Sequence, residues 1–372
     1  MLSRFDDYPL QQTTRPLAVP GTTDRNAYGR YWLGGYHRAG TLIVEGAFGR
    51  YPNLGVVDGS LSFALDGVQE AFHASGAAPA DPTATGVGPL RVEIVEPMRR
   101  LRLVVEPNET GMSADLHWTS RVGALLEDHT VMDDGGRVIV DMERFVQFGT
   151  WEGTIGVDGT RIDLEPGQVV GVRDRSWGVR PVGAPPVGRP SAGAPSAWLW
   201  APLHFPDECR SLGYFQRPGG AIWRGDGFRI PVVDPVGDVT AHDDEGVRRL
   251  HPLGQQLEFA SGTRRITRAR FDVGSDDGDA HALEVEPMAL FLMRGLGYSN
   301  PDWGHGHWKG SLAVGRETWR LDQLDPADPT AQHVHHAVRA RVDGQEGVGL
   351  LEQIIFGPHT QFGFHDQLDG AP

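Results

Sequence analysis

Ten consecutive residues, Gly171-Val172-Arg173-Asp174-Arg175-Ser176-Trp177-Gly178-Val179-Arg180, hold three arginines, one carboxylate and a tryptophan. Asp and Arg are rarely buried unless paired, so packing alone does not account for such a cluster. A solvated loop has no use for a tryptophan set between small residues. The pattern predicts a barrel-closing strand that carries Arg173, Asp174 and Trp177 into a cavity shared by two β-domains. The competing reading is an Asp–Arg latch at a strand end, with Trp177 plugging the core. Asp174 is the candidate acid. An apolar cavity pushes a carboxyl towards its neutral, proton-donating form. Arg173 and Arg175 would pull it the other way, although on a strand both point to the opposite face from Asp174.

A second dense stretch runs from Met293 to Gly310, with Tyr298, Asp302, Trp303, His305, His307 and Trp308 set among glycines that allow close approach. Tyr298 and His305 join Asp174 as catalytic candidates. His305 has the near-neutral ordinary pKa of a proton shuttle. Arg173, Trp177, Trp200, Asp302, Trp303 and His307 are candidate substrate contacts, and His307 suits an interfacial hydrogen-bonding role. His305 and His307 share one face of a strand and could ligate a metal with His335 or His336. No HExxH and no Cys/His quartet is present, so no metal and no cofactor is expected. Of seven aromatics near the two stretches (Trp177, Trp198, Trp200, Tyr214, Tyr298, Trp303, Trp308), two or three are expected to face a ligand and the rest to pack. No P-loop, dinucleotide fingerprint, GxSxG elbow or kinase set occurs.

The elements that must position these residues are short strands. Gly and Pro are abundant (50 and 27 of 372 residues), and no amphipathic helix longer than about three turns is found. Thr41 to Phe48, Leu61 to Leu65, Arg137 to Phe148 and Trp151 to Val157 read as strands bounded by turn residues. The expected class is all-β and mainly antiparallel, with two lipocalin- or calycin-like barrels or sandwiches in tandem. Residues 1–30 form an extended arm, 31–182 the first domain, 183–196 a Pro/Gly-rich linker and 197–372 the second domain. Trp151-Glu152-Gly153-Thr154 is echoed by Trp308-Lys309-Gly310-Ser311, a weak repeat at half-chain spacing.

The net charge of −15 argues against nucleic acid and against an anionic membrane surface. One cysteine, Cys209, excludes an internal disulfide and fits a reducing compartment. No signal-peptide pattern and no apolar run of about 18 residues is seen, so a cytoplasmic protein without stable membrane insertion is expected. The partner expected is an apolar small molecule, and a homodimer is left open.

The Arg173-Asp174-Arg175-Ser176-Trp177-Gly178 segment, following Val-Gly, resembles the Asp/Glu-His-x-Trp-Gly signature of the carotenoid 1,2-hydratase (hydroxyneurosporene synthase) and AttH-like proteins. Fungal calycin-type Diels–Alderases are similar in architecture. Where that family tends to have His, this chain has Arg175. Gly297 to Gly306 is also similar to a Gly-Tyr-x-x-Pro-x-Trp-Gly-His-Gly stretch of uncharacterised bacterial proteins. The first resemblance implies two lipocalin-like domains around a hydrophobic ligand site. It implies a hydratase, dehydratase or isomerase of a terpenoid-, steroid- or polyketide-like alkene. The alternatives are a pericyclase, where binding shape does most of the work, and a non-catalytic carrier. A carrier needs only an apolar cavity, and the two polar clusters favour an enzyme.

Overall fold

In a computed structural model, described for residues 2–10, 14–184, 196–232 and 246–372, the strands alternate buried and exposed residues and pair almost entirely antiparallel. The first sheet has thirteen strands. Its central part runs Val68–Ala77, Val56–Leu65, Leu42–Tyr51, Ala27–His37, Thr160–Val179, Arg137–Val157, Met112–Ser120. It curls around a core of Tyr31, Leu33, Phe48, Leu61, Phe72, Leu103, Trp118, Trp151 and Ile155. The second unit is a closed eight-stranded barrel from Ser196–His204 to Gln345–Phe356, whose last strand pairs with its first. Leu199, Leu212, Tyr214, Phe271, Val285, Val338 and Leu351 fill it. Eight strands give an interior that side chains just fill.

A third cluster lies between the units. Trp32, Tyr36, Phe148, Val170 and Val172 of the first sheet pack against Trp200, Cys209, Phe228, Phe291, Met293 and Leu350. Strand periodicity makes this possible, because alternate side chains leave opposite faces. Tyr31 and Leu33 point into the first core, while Trp32 points out to the barrel. On the neighbouring Thr160–Val179 strand, Val170 and Val172 face the barrel, and the same alternation carries Asp174 and Ser176 to that side. Arg173 and Arg175 must point the other way.

Two expectations about organisation need correction. Leu312–Arg320, from the second half of the sequence, pairs with Val68–Ala77 along its whole length and forms an edge of the first sheet. The Trp151/Trp308 echo therefore does not mark equivalent places. Trp151 is buried inside a 21-residue strand, whereas Trp308 is exposed in the turn region before Leu312–Arg320. The N-terminal arm is not simply extended either. Arg4–Asp7 forms a 3-10 turn that delivers Asp7 to a fully buried position. The linker expected over 183–196 lies, for residues 185–195, outside the described residues. Among the described residues no helix is long and apolar enough to cross a membrane.

Candidate active site

Asp174 lines a cavity of about 270 Å³ between the two units. The first sheet contributes Trp32, Glu127, Met142, Arg144, Asp174, Ser176 and Arg180. The barrel side contributes Trp198, Trp200, Ser211, Phe215, Phe228, Met293, His333, His335, Glu352 and Ile354, with Tyr298 from the loop after the Ala280–Leu292 strand. Gly213 makes room for the two indoles. A Cβ there would stand 2.9 Å from the Trp200 ring and 3.0 Å from Trp198.

Asp174 sits between Trp32 and Val146 on the flanking strands, with its side chain 14% exposed. Burial pushes its carboxyl up from the ordinary value to about 6. Arg144, Arg180 and Arg30 pull it down and Glu352 adds to the rise. Arg144 neutralises it only in part, because its Nε and Nη2 go to Glu127 Oε2 at 2.6 and 2.5 Å. Asp174 Oδ2 is left 3.8 Å from Arg144 Nη1. The Arg144 guanidinium also lies 5.2 and 5.9 Å from the ring centres of Trp200 and Trp198, so those π-faces already hold a cation.

Across the cavity, two histidines and two carboxylates form one buried chain. His335 Nδ1 is 2.7 Å from Glu45 Oε1, and its Nε2 is 3.4 Å from Glu352 Oε1. His333 Nε2 is 2.6 Å from the same Glu352 oxygen. The indole N–H of Trp32 donates to Glu45 Oε2 at 2.9 Å and that of Trp198 to Glu352 Oε2 at 2.7 Å. Burial opposes a charged His335, but Glu45 and Glu352 outweigh it and raise the ring to about 9. Burial would likewise raise Glu352, yet the hydrogen bond of His333 and the nearby His335 ring hold it well below the usual carboxylate range. Burial pushes His333 below the ordinary histidine value, against the hydrogen bond and charge of Glu352.

The structure brings Asp174, Tyr298 and Trp200 to this cavity and places the other expected residues elsewhere. Arg173 is wholly buried on the opposite face, bonded to Asp7 at 2.6 Å and to Gln147 Oε1 at 2.9 Å. Strand alternation puts it there. Trp177 also points away, against Leu2, Met98, Ala124 and Phe145, with the Arg175 guanidinium 4.7 Å from its ring. It borders a separate 410 Å³ pocket beneath the N-terminal arm. The competing latch-and-plug reading thus describes Arg173 and Trp177, with Asp7 as the acidic partner.

His305 lies behind Tyr298, their rings 4.4 Å apart. Its Nε2 faces the Leu296 carbonyl at 3.0 Å and its Nδ1 faces Arg180 Nη2 at 3.4 Å. Burial pushes its pKa well below neutral. With both nitrogens engaged outside the cavity, it is not placed as a proton shuttle there. Asp302 is exposed, its carbonyl accepting from Lys309. Trp303 stacks on His73 with ring centres 5.4 Å apart. Trp303 and His307 line a different, very small cleft of about 10 Å³ near the sheet edge.

Glu45, Glu127, Arg144 and Glu352 were not singled out as site residues in the sequence. A signal existed for two of them. Glu45 stands in Leu-Ile-Val-Glu-Gly-Ala-Phe and Glu352 in Leu-Leu-Glu-Gln-Ile-Ile-Phe. A lone carboxylate in an apolar strand must find a partner when it is buried.

The fold and cavity define a chain of two antiparallel β-units, one of them a closed barrel, with an ionisable pocket at their junction. The sequence matches the family of unknown function DUF8625 over residues 2–365, and the chain belongs to that family. No curated protein sequence matches it. Among solved structures it is similar to a candidate AttH from Nitrosomonas europaea (12% identity, TM-score 0.51, 88% of this chain and 92% of that one). It is also similar to kievitone hydratase from Nectria haematococca (13%, 0.50, 91% and 93%). A third likeness is to CghA with Sch210972 (11%, 0.50, 89% of each). At these identities the likeness is one of fold.

Proposed function

We propose that the chain is an enzyme acting on an apolar terpenoid-, steroid- or polyketide-like small molecule, by acid-assisted hydration, dehydration or isomerisation in the cavity between its two units. The observation that carries this reading is Asp174: a carboxyl raised to about 6 that faces the cavity and forms no close ion pair there. Such a group is protonated below about pH 6, keeps its proton in about one molecule in ten at pH 7, and releases it readily, as a general acid working just below neutrality requires. It would donate to an alkene carbon or to a leaving hydroxyl. Trp32, Met293, Phe228 and Ile354 would hold the apolar body of the substrate. The carboxylate left on Asp174 by that donation would take back a proton from the water that adds, or from the carbon next to the cation.

The comparisons support the reading at the level of architecture, since one solved structure of like fold is a hydratase and another was solved with Sch210972. A pericyclase would use the same apolar walls by shape alone, and a carrier would need no proton donor in them. The test begins with native mass spectrometry of the full chain from its own host and organic extraction of any co-purifying molecule. That molecule and related alkenes are then assayed for hydration and isomerisation. Turnover that disappears in a folded Asp174→Asn variant supports the acid role. Turnover that is unchanged in that variant contradicts it.

A further inference from the structure

The chain His333–Glu352–His335–Glu45 contains one contact, His335 Nε2 to Glu352 Oε1 at 3.4 Å, that is long for a hydrogen bond. Glu45 Oε1 lies 2.7 Å from His335 Nδ1, so Nδ1 carries the hydrogen and donates it. Unless the ring carries a second proton, as Glu45 and Glu352 favour, this leaves a lone pair on Nε2. That atom is buried and has no hydrogen-bond partner, yet it points at Glu352 Oε1 only 3.4 Å away. Two acceptors facing each other out of water require a cation between them. A proton is one choice, although 3.4 Å is long for a charge-assisted N–H···O bond, which normally closes to about 2.7–2.9 Å.

A metal ion is the other choice, and the His335–Glu352 spacing fits it. Ligand atoms about 2.0–2.2 Å from a tetrahedral zinc are separated from one another by about 3.3–3.5 Å. His333 Nε2 supplies a third donor, and the three ligand atoms all lie within 4.8 Å of one another. His333 now sits 2.6 Å from Glu352 and would swing back by less than about 1 Å to reach that separation. His333 and His335 are two apart on the His333–Val342 strand and so share a face. Glu352 stands directly opposite His335 on Gln345–Phe356.

The outer contacts are those of a metal site as well. Glu45 holds the His335 tautomer, and the Trp198 N–H orients Glu352 at 2.7 Å. A carboxylate on the far nitrogen of a ligating histidine is the usual way to fix ring orientation. All three donors line the cavity wall, leaving the remaining coordination positions open to it.

We infer that His333, His335 and Glu352 form a binding site for a divalent transition-metal ion of the zinc class, with Glu45 as the positioning carboxylate and open positions facing the cavity. Two histidines, one carboxylate and open positions make the arrangement of catalytic rather than structural sites. The inference stands apart from the Asp174 reading, because metal binding is measured without a substrate.

The test uses the full chain, stripped with chelator and dialysed, then titrated with Co²⁺ and with Zn²⁺. The expected result is one ion per chain, with visible Co²⁺ absorption that Zn²⁺ displaces. His335→Gln and Glu352→Gln, checked for folding by circular dichroism, should each lose at least 100-fold in affinity. Glu45→Gln should lose about 10–100-fold. His307→Gln, outside the cavity, should bind as the parent does. Absence of stoichiometric binding or of visible absorption in the folded parent chain would overturn the inference, leaving a proton between His335 and Glu352. Undiminished binding in folded His335→Gln and Glu352→Gln would overturn it too, since the ion would then be elsewhere.

Discussion

Arg144 and Asp174 form only a long ion pair: the nearest guanidinium nitrogen stays 3.8 Å from the carboxylate, because Glu127 takes the donors of Arg144 at 2.5 and 2.6 Å. A second carboxylate thus leaves the first one incompletely neutralised. Burial then decides its state and raises it to about 6. The account of function depends on this competition.

Asp174→Asn should stabilise the protein above pH 6 while abolishing turnover. A carboxyl raised from 3.8 to about 6 binds its proton more tightly folded than unfolded. Its contribution to stability therefore falls as pH rises from about 4 to 6 and stays unfavourable above. The shift corresponds to about 2–3 kcal/mol. Denaturant unfolding at pH 7.5 should show the variant more stable by up to that amount, with the gain gone by pH 4. A less stable variant at pH 7.5 would contradict the placement of the carboxyl.

Arg144→Met should act in the opposite sense on two readouts. It removes the partner of buried Glu127 and should cost about 3–5 kcal/mol in denaturant unfolding. It also removes the chief group lowering the pKa of Asp174, so the alkaline limb of any pH–rate profile should move upward. A limb that does not move would place Arg144 out of electrical contact with the acid.

Arg173 and Asp7 form a fully buried pair at 2.6 Å on the face away from the cavity. Asp7→Asn or Arg173→Met should each destabilise by about 3–5 kcal/mol, and the double variant by less than the sum. Turnover per folded molecule should be unchanged. A selective loss of turnover in Arg173→Met would restore Arg173 as a substrate contact.

The junction of the two units should loosen in acid through His204. Its Nε2 faces the Gly171 carbonyl at 2.9 Å and its Nδ1 faces Arg121 Nη1 at 3.0 Å. Burial and Arg121 hold its pKa well below the ordinary value. A histidine kept neutral when folded contributes stability above its unfolded pKa near 6.5, and this is lost as pH falls below that. Thermal unfolding between pH 7.5 and 5 should therefore show a falling midpoint, with a shallower slope in His204→Leu. Equal slopes would refute the assignment.

Much of this was legible in the sequence, for a physical reason in each case. The Gly/Pro punctuation and period-2 strands carry the all-β class. The isolated carboxylate of Asp174 marks the cavity. The same period-2 rule already sends Arg173 to the other face, and Arg173 became a site candidate only because local charge density was weighed above side-chain direction. The pairing of Leu312–Arg320 with Val68–Ala77 was not legible, because the pairing joins segments more than 200 residues apart through backbone bonds that carry no sequence signature. The meeting of Glu45 with His335, 290 residues apart, was hidden likewise. Only the apolar strand around Glu45 hinted that it needed a partner.

The most direct test of the central claim is the pKa of Asp174 itself. The chain is labelled with ¹³C at its aspartate carboxyl carbons, treated with chelator and titrated by NMR, with Asp174→Asn identifying the resonance. The account predicts a midpoint near 6. A midpoint at or below 4 would mean an ordinary ionised carboxylate, and would contradict a proton donor in this cavity.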